Sequence, residues 1–427
     1  MSALAVRTGS INLGQGFPDT DGPIEVLAAA VRAIQEGRGN QYPPGPGIPE
    51  LRQAISSHQR AWYGLSFDPD DEVLVTVGAT EAIASAVLGL TAPGDEVVTF
   101  EPYYDSYAAC IALAGAQRRV VTLRPERGHQ ARSRGSDELP ARGSSEGPWH
   151  RVDRIEDRRA RWSFDPDELR RAVTPRTRLI LLNSPHNPTG TVFNLEELQF
   201  VASVAIEHDL IVITDEVYEH LVFDGEHLPL ATLPGMAERT VTVSSAGKTF
   251  SVTGWKVGWA CAPATLLAPI RAVKQFLTYV GSGPFQYAIA EALAAPREYY
   301  RDLAADLRTK RDLLTSGLHD LGLTVLVPQA TYFATVDVRS HAREWCLALP
   351  ELAGVVAIPM RVFYDSEVDR YVRFAFCKKT EVLSEALTRM AAVRGAATSS
   401  GADRSVEQGA ESVGASCAPI HIHTDPS

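Results

Sequence analysis

Lysine is scarce in this 427-residue chain: there are six, and none precedes Lys248. Across the first 247 residues the permanently charged cationic side chains are all arginine. A guanidinium stays charged, so it cannot replace an amine that must lose its proton and attack a carbonyl. Cysteine is scarce as well. Cys110, Cys261, Cys346, Cys377 and Cys417 are odd in number, scattered, and never in C-x-x-C spacing. That argues against a disulfide or zinc framework and for a reducing, cytoplasmic setting. No apolar run reaches 18 residues, so nothing reads as a membrane span. Residues 1–10 lack the charged-then-apolar order of a signal peptide. Positive charge is in deficit overall: the formal net charge is −11, which argues against a nucleic-acid partner.

What is present is an ordinary apolar content of 45%, in a chain long enough for two or three domains with a large core. Between residues 73 and 259, strand-like runs at 73–77, 96–100, 179–183, 210–214 and 240–243 alternate with helical patterns, among them Ile83, Ala86, Val87 and Leu90 and the stretch 195–208. Such alternation predicts βαβ units and a mostly parallel sheet, hence an α/β fold. An earlier helical pattern over 24–34 predicts a buried face of Val26, Leu27, Ala30, Val31 and Ile34. Residues 285–321 read as one long helix. Short strands at 323–327, 332–336, 355–359 and 371–376 follow, as expected for a smaller α+β domain. Residues 126–161 hold nine arginines, seven acids and four glycines with almost no apolar periodicity, which predicts a solvated, disordered insertion. Its interleaved acids argue against an RNA-binding arm. Residues 394–427, rich in Gly, Ser and Ala, read as a disordered tail, in which His421 and His423 do not make a metal site.

The chemistry-bearing residues fall at strand ends, where α/β sheets present ligand sites. Gly78-Ala79-Thr80 links a strand to a helix N-terminus, which favours an anion. Tyr103, Tyr104 and Tyr107 follow the next strand and can line a flat ligand or cap a core; Tyr103 or Tyr104 is the candidate ring for the site. Asn187 sits in the rigid turn Ser184-Pro185-His186-Asn187-Pro188-Thr189-Gly190, its amide placed to bond a ligand, whereas His186 reads as structural. Asp215 ends an apolar strand and needs a partner, and Tyr218 lies three residues on. Ser245, Lys248 and Lys256 follow the strand 240–243. In the strand 371–376, Arg373 alternates with apolar residues and calls for a carboxylate, bidentate if possible. Gly14 and Gly16 permit close backbone approach, and Tyr42 borders a proline- and glycine-rich loop. One cofactor uses an anion cradle, an aromatic ring, an amide, a phenol, a carboxylate and an unprotonated amine together. That cofactor is pyridoxal 5'-phosphate, with its phosphate, flat ring, phenolic oxygen, pyridinium nitrogen and aldehyde.

The segments LGQGFPD, NQYPPGPG, SPHNPTG, TDEVY, SSAGKTF and TGWKVGWA, in this order, resemble the class I/II aminotransferases of fold type I. They are most similar in pattern to the kynurenine-aminotransferase-like branch. Within it, ATEAIASAVLGL, PYYDSY and ITDEVYEHLVFD resemble the actinobacterial N-succinyldiaminopimelate aminotransferases. The resemblance spans roughly residues 3–393 apart from the insertion. It implies an N-terminal segment (1–22) joining the small domain, a large cofactor-binding domain (23–283), a small domain (284–393) and a tail (394–427). It implies that Lys248 bonds the cofactor's aldehyde and then moves the substrate proton. Asp215 would pair with the ring nitrogen, Asn187 and Tyr218 would hold the phenolic oxygen, and Tyr104 would stack on the ring. Ala79, Thr80, Ser245 and Lys256 would bind phosphate, and Tyr42 would reach the phosphate of a second subunit in a homodimer. Gly16, Asn187 and Arg373 would contact the substrate carboxylate. The implied activity is amino transfer from an amino acid to a 2-oxo acid, with N-succinyldiaminopimelate and 2-oxoglutarate as a candidate pair. Kynurenine-type transfer or cysteine-conjugate β-elimination is the alternative, and a non-catalytic protein on the same fold the remote one. Two departures stand out: the insertion, and a short N-terminus with ten residues before Ile11, which is expected to leave the pocket more open.

Overall fold

The structure is a computed structural model that describes residues 1–126, 161–339 and 341–402. Its centre is a seven-stranded sheet. The strands are β1 (Val73–Val77), β2 (Glu96–Glu101), β3 (Gln117–Thr122), β4 (Thr177–Asn183), β5 (Ile211–Asp215), β6 (Thr240–Ser245) and β7 (Val257–Cys261). They lie side by side in the order β1-β7-β6-β5-β4-β2-β3. Only β7 runs antiparallel to its neighbours; the other pairings are parallel. A parallel sheet must be covered on both faces, which is why β4 and β5 carry continuous apolar runs, LILL and IVI, rather than alternating ones.

The main helices are α1 (Ile24–Gln35), α2 (Pro49–Tyr63), α3 (Gly78–Leu90), α4 (Ser106–Leu113), α5 (Leu195–Glu207), α6 (Gly283–Ala292), α7 (Arg297–Asp320) and α8 (Thr380–Ala402). On one face of the sheet Val97, Leu181, Ile213 and Val241 pack with Ala82, Ile83 and Ala86 of α3. On the other, Ile180, Leu182 and Val212 pack with Leu198, Val201 and Ala202 of α5. The α5 start is fixed by a capping box: Asn194 accepts from the Glu197 amide, and the Glu197 carboxylate accepts from the Asn194 amide.

The smaller sheet joins β8 (Thr324–Leu326), β9 (Phe333–Asp337), β10 (Ile358–Pro359) and β11 (Tyr371–Ala375) in the order β8-β9-β11-β10, all antiparallel. The N-terminal segment is tied to this part of the chain. Ile11 and Asn12 pair in parallel with Val355 and Val356, and Leu13 enters the same core as Phe333, Val336 and Phe374. Among the described residues no helix is long and apolar enough to cross a membrane.

Several expectations are corrected. The long helix over 285–321 is two helices, α6 and α7, parted at residues 293–296. Pro296 has no N–H to continue a helix, and it serves as the N-cap of α7. The buried face of α1 is Val26, Ala29, Ala30 and Ala33. Alanines allow close approach to Ala288 of α6, and Val31 and Ile34 are left 51% and 49% exposed. Strand β3, with the sequence QRRVVT, is absent from the sequence reading because its arginines break the apolar run. It is an edge strand, where charge is admitted, and Arg118 pairs there with Asp365. Helix α8 continues past residue 393 to Ala402, so the tail boundary at 394 falls inside a helix. The predicted insertion at 126–161, apart from its end residues Glu126 and Arg161, and the rest of the tail, at 403–427, lie outside the described residues.

Candidate active site

The carboxyl ends of β1, β4, β5 and β6 open onto a cavity of about 380 Å³, closed on its far side by the smaller sheet. Eleven of the twelve predicted site residues line it: Gly16, Ala79, Thr80, Tyr104, Asn187, Asp215, Tyr218, Ser245, Lys248, Lys256 and Arg373. Tyr42 does not. It is 81% exposed and its ring meets that of Tyr279 at 5.6 Å.

Asp215 is the last residue of β5 and is buried. Tyr107 of α4 donates its hydroxyl to Asp215 Oδ2 at 2.5 Å, and the Val217 amide donates to Oδ1 at 3.4 Å. Burial pushes the Asp215 carboxyl up to about 6, and these two donors oppose the rise. Lys248 lies in the four-residue helix Ala246–Thr249 that follows β6. Its Nζ is 5.7 Å from the Tyr218 ring and 5.6 Å from that of Tyr332. Burial lowers the Lys248 pKa from 10.5 to about 8, against the pull of Cys377 and Asp215. An amine so placed sheds its proton within reach of neutral pH.

The anion cradle is built from backbone. Helix α3 begins at Gly78, so the amides of Ala79 and Thr80 have no intrahelical partner. Lys256 adopts φ +53° and Gly78 φ +73°. A Cβ on Gly78 would stand 3.0 Å from Lys256 Nζ, so the absence of a side chain there is what admits the ammonium. Ser245 ends β6 beside it. Free amides, the positive end of a helix, a hydroxyl and an ammonium are the donor set of a phosphate group.

Opposite the cradle, Arg373 extends from β11 and is buried. Nη1 donates to Asn187 Oδ1 at 3.0 Å and Nη2 to the Gly14 carbonyl at 3.1 Å. Its Nε has no partner, and no carboxylate among the described residues pairs with it. The guanidinium is held between the rings of Phe333 and Phe363, at 4.0 and 4.8 Å. Burial brings its pKa down to about 10. A buried cation without a counter-charge is costly, and a ligand carboxylate is the group that would relieve it. Gly16 sits against Phe333, where a Cβ would come within 2.4 Å of the ring. Its carbonyl accepts from Tyr332 at 2.6 Å, and Tyr332 meets Tyr218 edge-on at 5.3 Å.

Three positioning residues were not singled out from the sequence. Tyr107 was indistinguishable in sequence from its neighbours Tyr103 and Tyr104, and the helix that carries it emerges only in the structure. Tyr103 turns away and donates to Asp365 at 2.5 Å, leaving Tyr104 to line the cavity. Asn183, at the end of β4, accepts from the Asn187 amide at 2.7 Å and donates to the Asp215 carbonyl at 2.7 Å. It locks the turn that carries Asn187 to the strand that carries Asp215. Tyr332 is the third.

The sequence model of the family described as aminotransferase class I and II matches residues 8–142 and 143–390. A probable N-succinyldiaminopimelate aminotransferase of Mycobacterium tuberculosis is 49% identical over 405 residues, covering 91% of this chain and 94% of that protein. The kynurenine–oxoglutarate transaminase of Dictyostelium discoideum is 38% identical, covering 90% and 91%. The solved structure of the M. tuberculosis N-succinyldiaminopimelate aminotransferase superposes with a TM-score of 0.83 at 50% identity, over 92% of this chain and 96% of that one.

Proposed function

Since this chain belongs to the class I and II aminotransferase family and is a transaminase, we propose that it works with pyridoxal 5'-phosphate held in the cavity below the small sheet. The observation that carries this is the presence, in one cavity, of a buried carboxylate and a buried lysine of lowered pKa beside a phosphate-type cradle. The residues fit the group. Ala79, Thr80, Ser245 and Lys256 take the phosphate, Tyr104 the ring face, and Asn187 and Tyr218 the phenolic oxygen. Asp215 takes the ring nitrogen and Lys248 the aldehyde. When bound, the cofactor supplies an electron sink for charge developing at the substrate α-carbon.

The chain's own groups divide the remaining work. Asp215, aligned by Tyr107, holds a proton at the ring nitrogen. Tyr218 is kept protonated by burial and donates to the phenolic oxygen. Lys248, uncharged above about pH 8, takes the proton from the substrate α-carbon and returns it to a neighbouring carbon. Arg373 and the backbone at Gly16 bind the α-carboxylate common to amino acids and 2-oxo acids. Phe333 and Phe363 beside it exclude water.

N-succinyldiaminopimelate with 2-oxoglutarate is the proposed substrate pair, supported by the 49% identity to a relative of that name. The test is glutamate formation from 2-oxoglutarate with N-succinyldiaminopimelate as donor, beside kynurenine. The aromatic lining, with Tyr104, Phe333 and Phe363, favours kynurenine-type donors as the second reading. In that case kynurenine outruns the succinylated donor. Pyruvate and ammonia released from a cysteine conjugate without acceptor would identify β-elimination.

A homodimer is part of this reading. Ile24, Val31 and Ile34 of α1 are exposed on one side, and Tyr42, Phe276 and Tyr279 are exposed apolar residues as well. Burying them against a second copy would let Tyr42 serve the partner's phosphate. The four described cysteines are free and buried, which supports a reducing, cytoplasmic setting.

A further inference from the structure

The two residues after Tyr218 turn away from the cavity into a second buried polar cluster that amino transfer does not use. Glu219 and His220 meet His58 of α2 there, and all three are buried. His58 Nε2 and His220 Nε2 face one another at 2.9 Å, and Glu219 Oε2 lies 3.9 Å from His220 Nε2. The three donor atoms all fall within 4.8 Å of one another. Ser244 Oγ donates to Glu219 Oε1 at 2.5 Å and the Tyr63 hydroxyl also faces this carboxylate, while Oε2 lacks a partner of good hydrogen-bond geometry. No lysine or arginine among the described residues pairs with this carboxylate.

A hydrogen bond between the two imidazoles explains their approach and leaves the buried carboxylate without a permanent counter-charge among the described residues. A cation shared by all three groups satisfies every donor at once. His58 is also anchored from outside the cluster, by a backbone hydrogen bond with Leu293. Metal-binding histidines are commonly fixed in this way. Two imidazoles and a carboxylate suit zinc, whose tetrahedral donors stand roughly 3.4 Å apart, between the 2.9 and 3.9 Å seen here.

We propose that His58, Glu219 and His220 bind one zinc ion, with a water in the fourth position, as a clamp between α2 and the turn that carries Tyr218. The rings of Trp62 and Tyr300, 4.6 and 4.4 Å from that of His220, wall the site. The ion ties the first layer of the large domain to the segment that presents Asp215 and Tyr218, so its effect is on stability and on the placement of that segment.

The test uses untagged, cofactor-loaded enzyme stripped with a chelator, given zinc sulfate and gel-filtered, with metal content and thermal unfolding measured. The expected result is one zinc per chain and a rise of several degrees in Tm, both absent in the double variant His58→Gln/His220→Gln. His421 and His423 remain in that variant, so surface capture by the tail appears equally in both proteins. Equal zinc in both, or no zinc in the wild type, or zinc without a change in Tm, overturns the clamp. Should the variant not fold, cobalt(II) loaded into the wild type decides: visible bands of a four-coordinate nitrogen–oxygen set are expected, and a spectrum of the free aquo ion overturns the proposal.

Discussion

Tyr107 gives its phenolic hydrogen to Asp215 across 2.5 Å, and both residues are buried. The bond holds one carboxylate oxygen and helps to keep the acid ionised where burial favours the neutral form. Replacing Tyr107 with Phe removes a bond to a charged group worth about 1.5–3 kcal/mol. The Asp215 pKa then rises by roughly one to two units. Its ionised form is lost at higher pH, so the acid limb of the kcat/KM profile is expected to move up by about that amount. A pH–rate profile of Tyr107→Phe beside wild type checks this, and an unmoved limb would contradict it.

Lys248 carries a stability cost with a definite pH window. Its folded pKa, about 8, lies below the ordinary 10.5 because burial disfavours the ammonium. Below pH 8 both folded and unfolded chains hold the proton, and the full penalty is present. Between pH 8 and 10.5 the unfolded chain still binds a proton that the folded chain has released, so this contribution to stability rises with pH. Cofactor-free Lys248→Met is therefore expected to be more stable than wild type at pH 7, on the order of 3 kcal/mol. The gap narrows by pH 9.5. Denaturant unfolding of both proteins at the two pH values measures it.

Arg373 binds no carboxylate of the described chain, so its loss should appear in substrate binding. Arg373→Lys removes the two-pronged contact while keeping the charge, and is expected to raise KM for amino acid donors at least tenfold. Arg373→Ala should cost about 3–5 kcal/mol in kcat/KM, as for a broken buried charge pair. Absorbance of bound cofactor should persist in both variants. Steady-state kinetics with one donor and one acceptor suffices.

Tyr42 and Ile34 separate two parts of the dimer reading. Ile34→Glu places a charge on the exposed apolar side of α1 and is expected to shift the molecular mass toward the monomer. Tyr42→Phe keeps the apolar contact and loses only a hydroxyl. It is expected to stay dimeric and to bind cofactor roughly tenfold more weakly, by about the energy of one bond to a charged group. Light scattering and cofactor titration distinguish the two.

Much of the site was legible because an α/β sheet places chemistry at strand ends, and short strands followed by small-residue turns are visible in sequence. Asp215 closes an apolar strand, and Asn187 and Lys248 come within five residues of the end of one, so topology alone brings them together. The residues that orient them were not visible. Tyr107 and Tyr332 act through contacts between distant segments, and nothing local says which of Tyr103, Tyr104 and Tyr107 faces the cavity. The expected face of helix α1 holds at Val26 and Ala30 but misses Ala29 and Ala33, because Val31 and Ile34 outrank alanine in any hydrophobicity reading. Close packing on Ala288 rewards small size instead, and a single-chain pattern does not report a neighbour's distance. Edge strand β3 escaped notice for a related reason: solvent on one side lets arginine replace the apolar run that marks an interior strand.

The central claim is that Lys248 is the residue to which the cofactor is bonded. The direct measurement is the visible absorbance of protein purified with pyridoxal 5'-phosphate, beside Lys248→Ala, before and after glutamate. A band present in wild type, missing from the variant and bleached by glutamate is the expected result. The same band in both proteins, or none in either, would contradict the account.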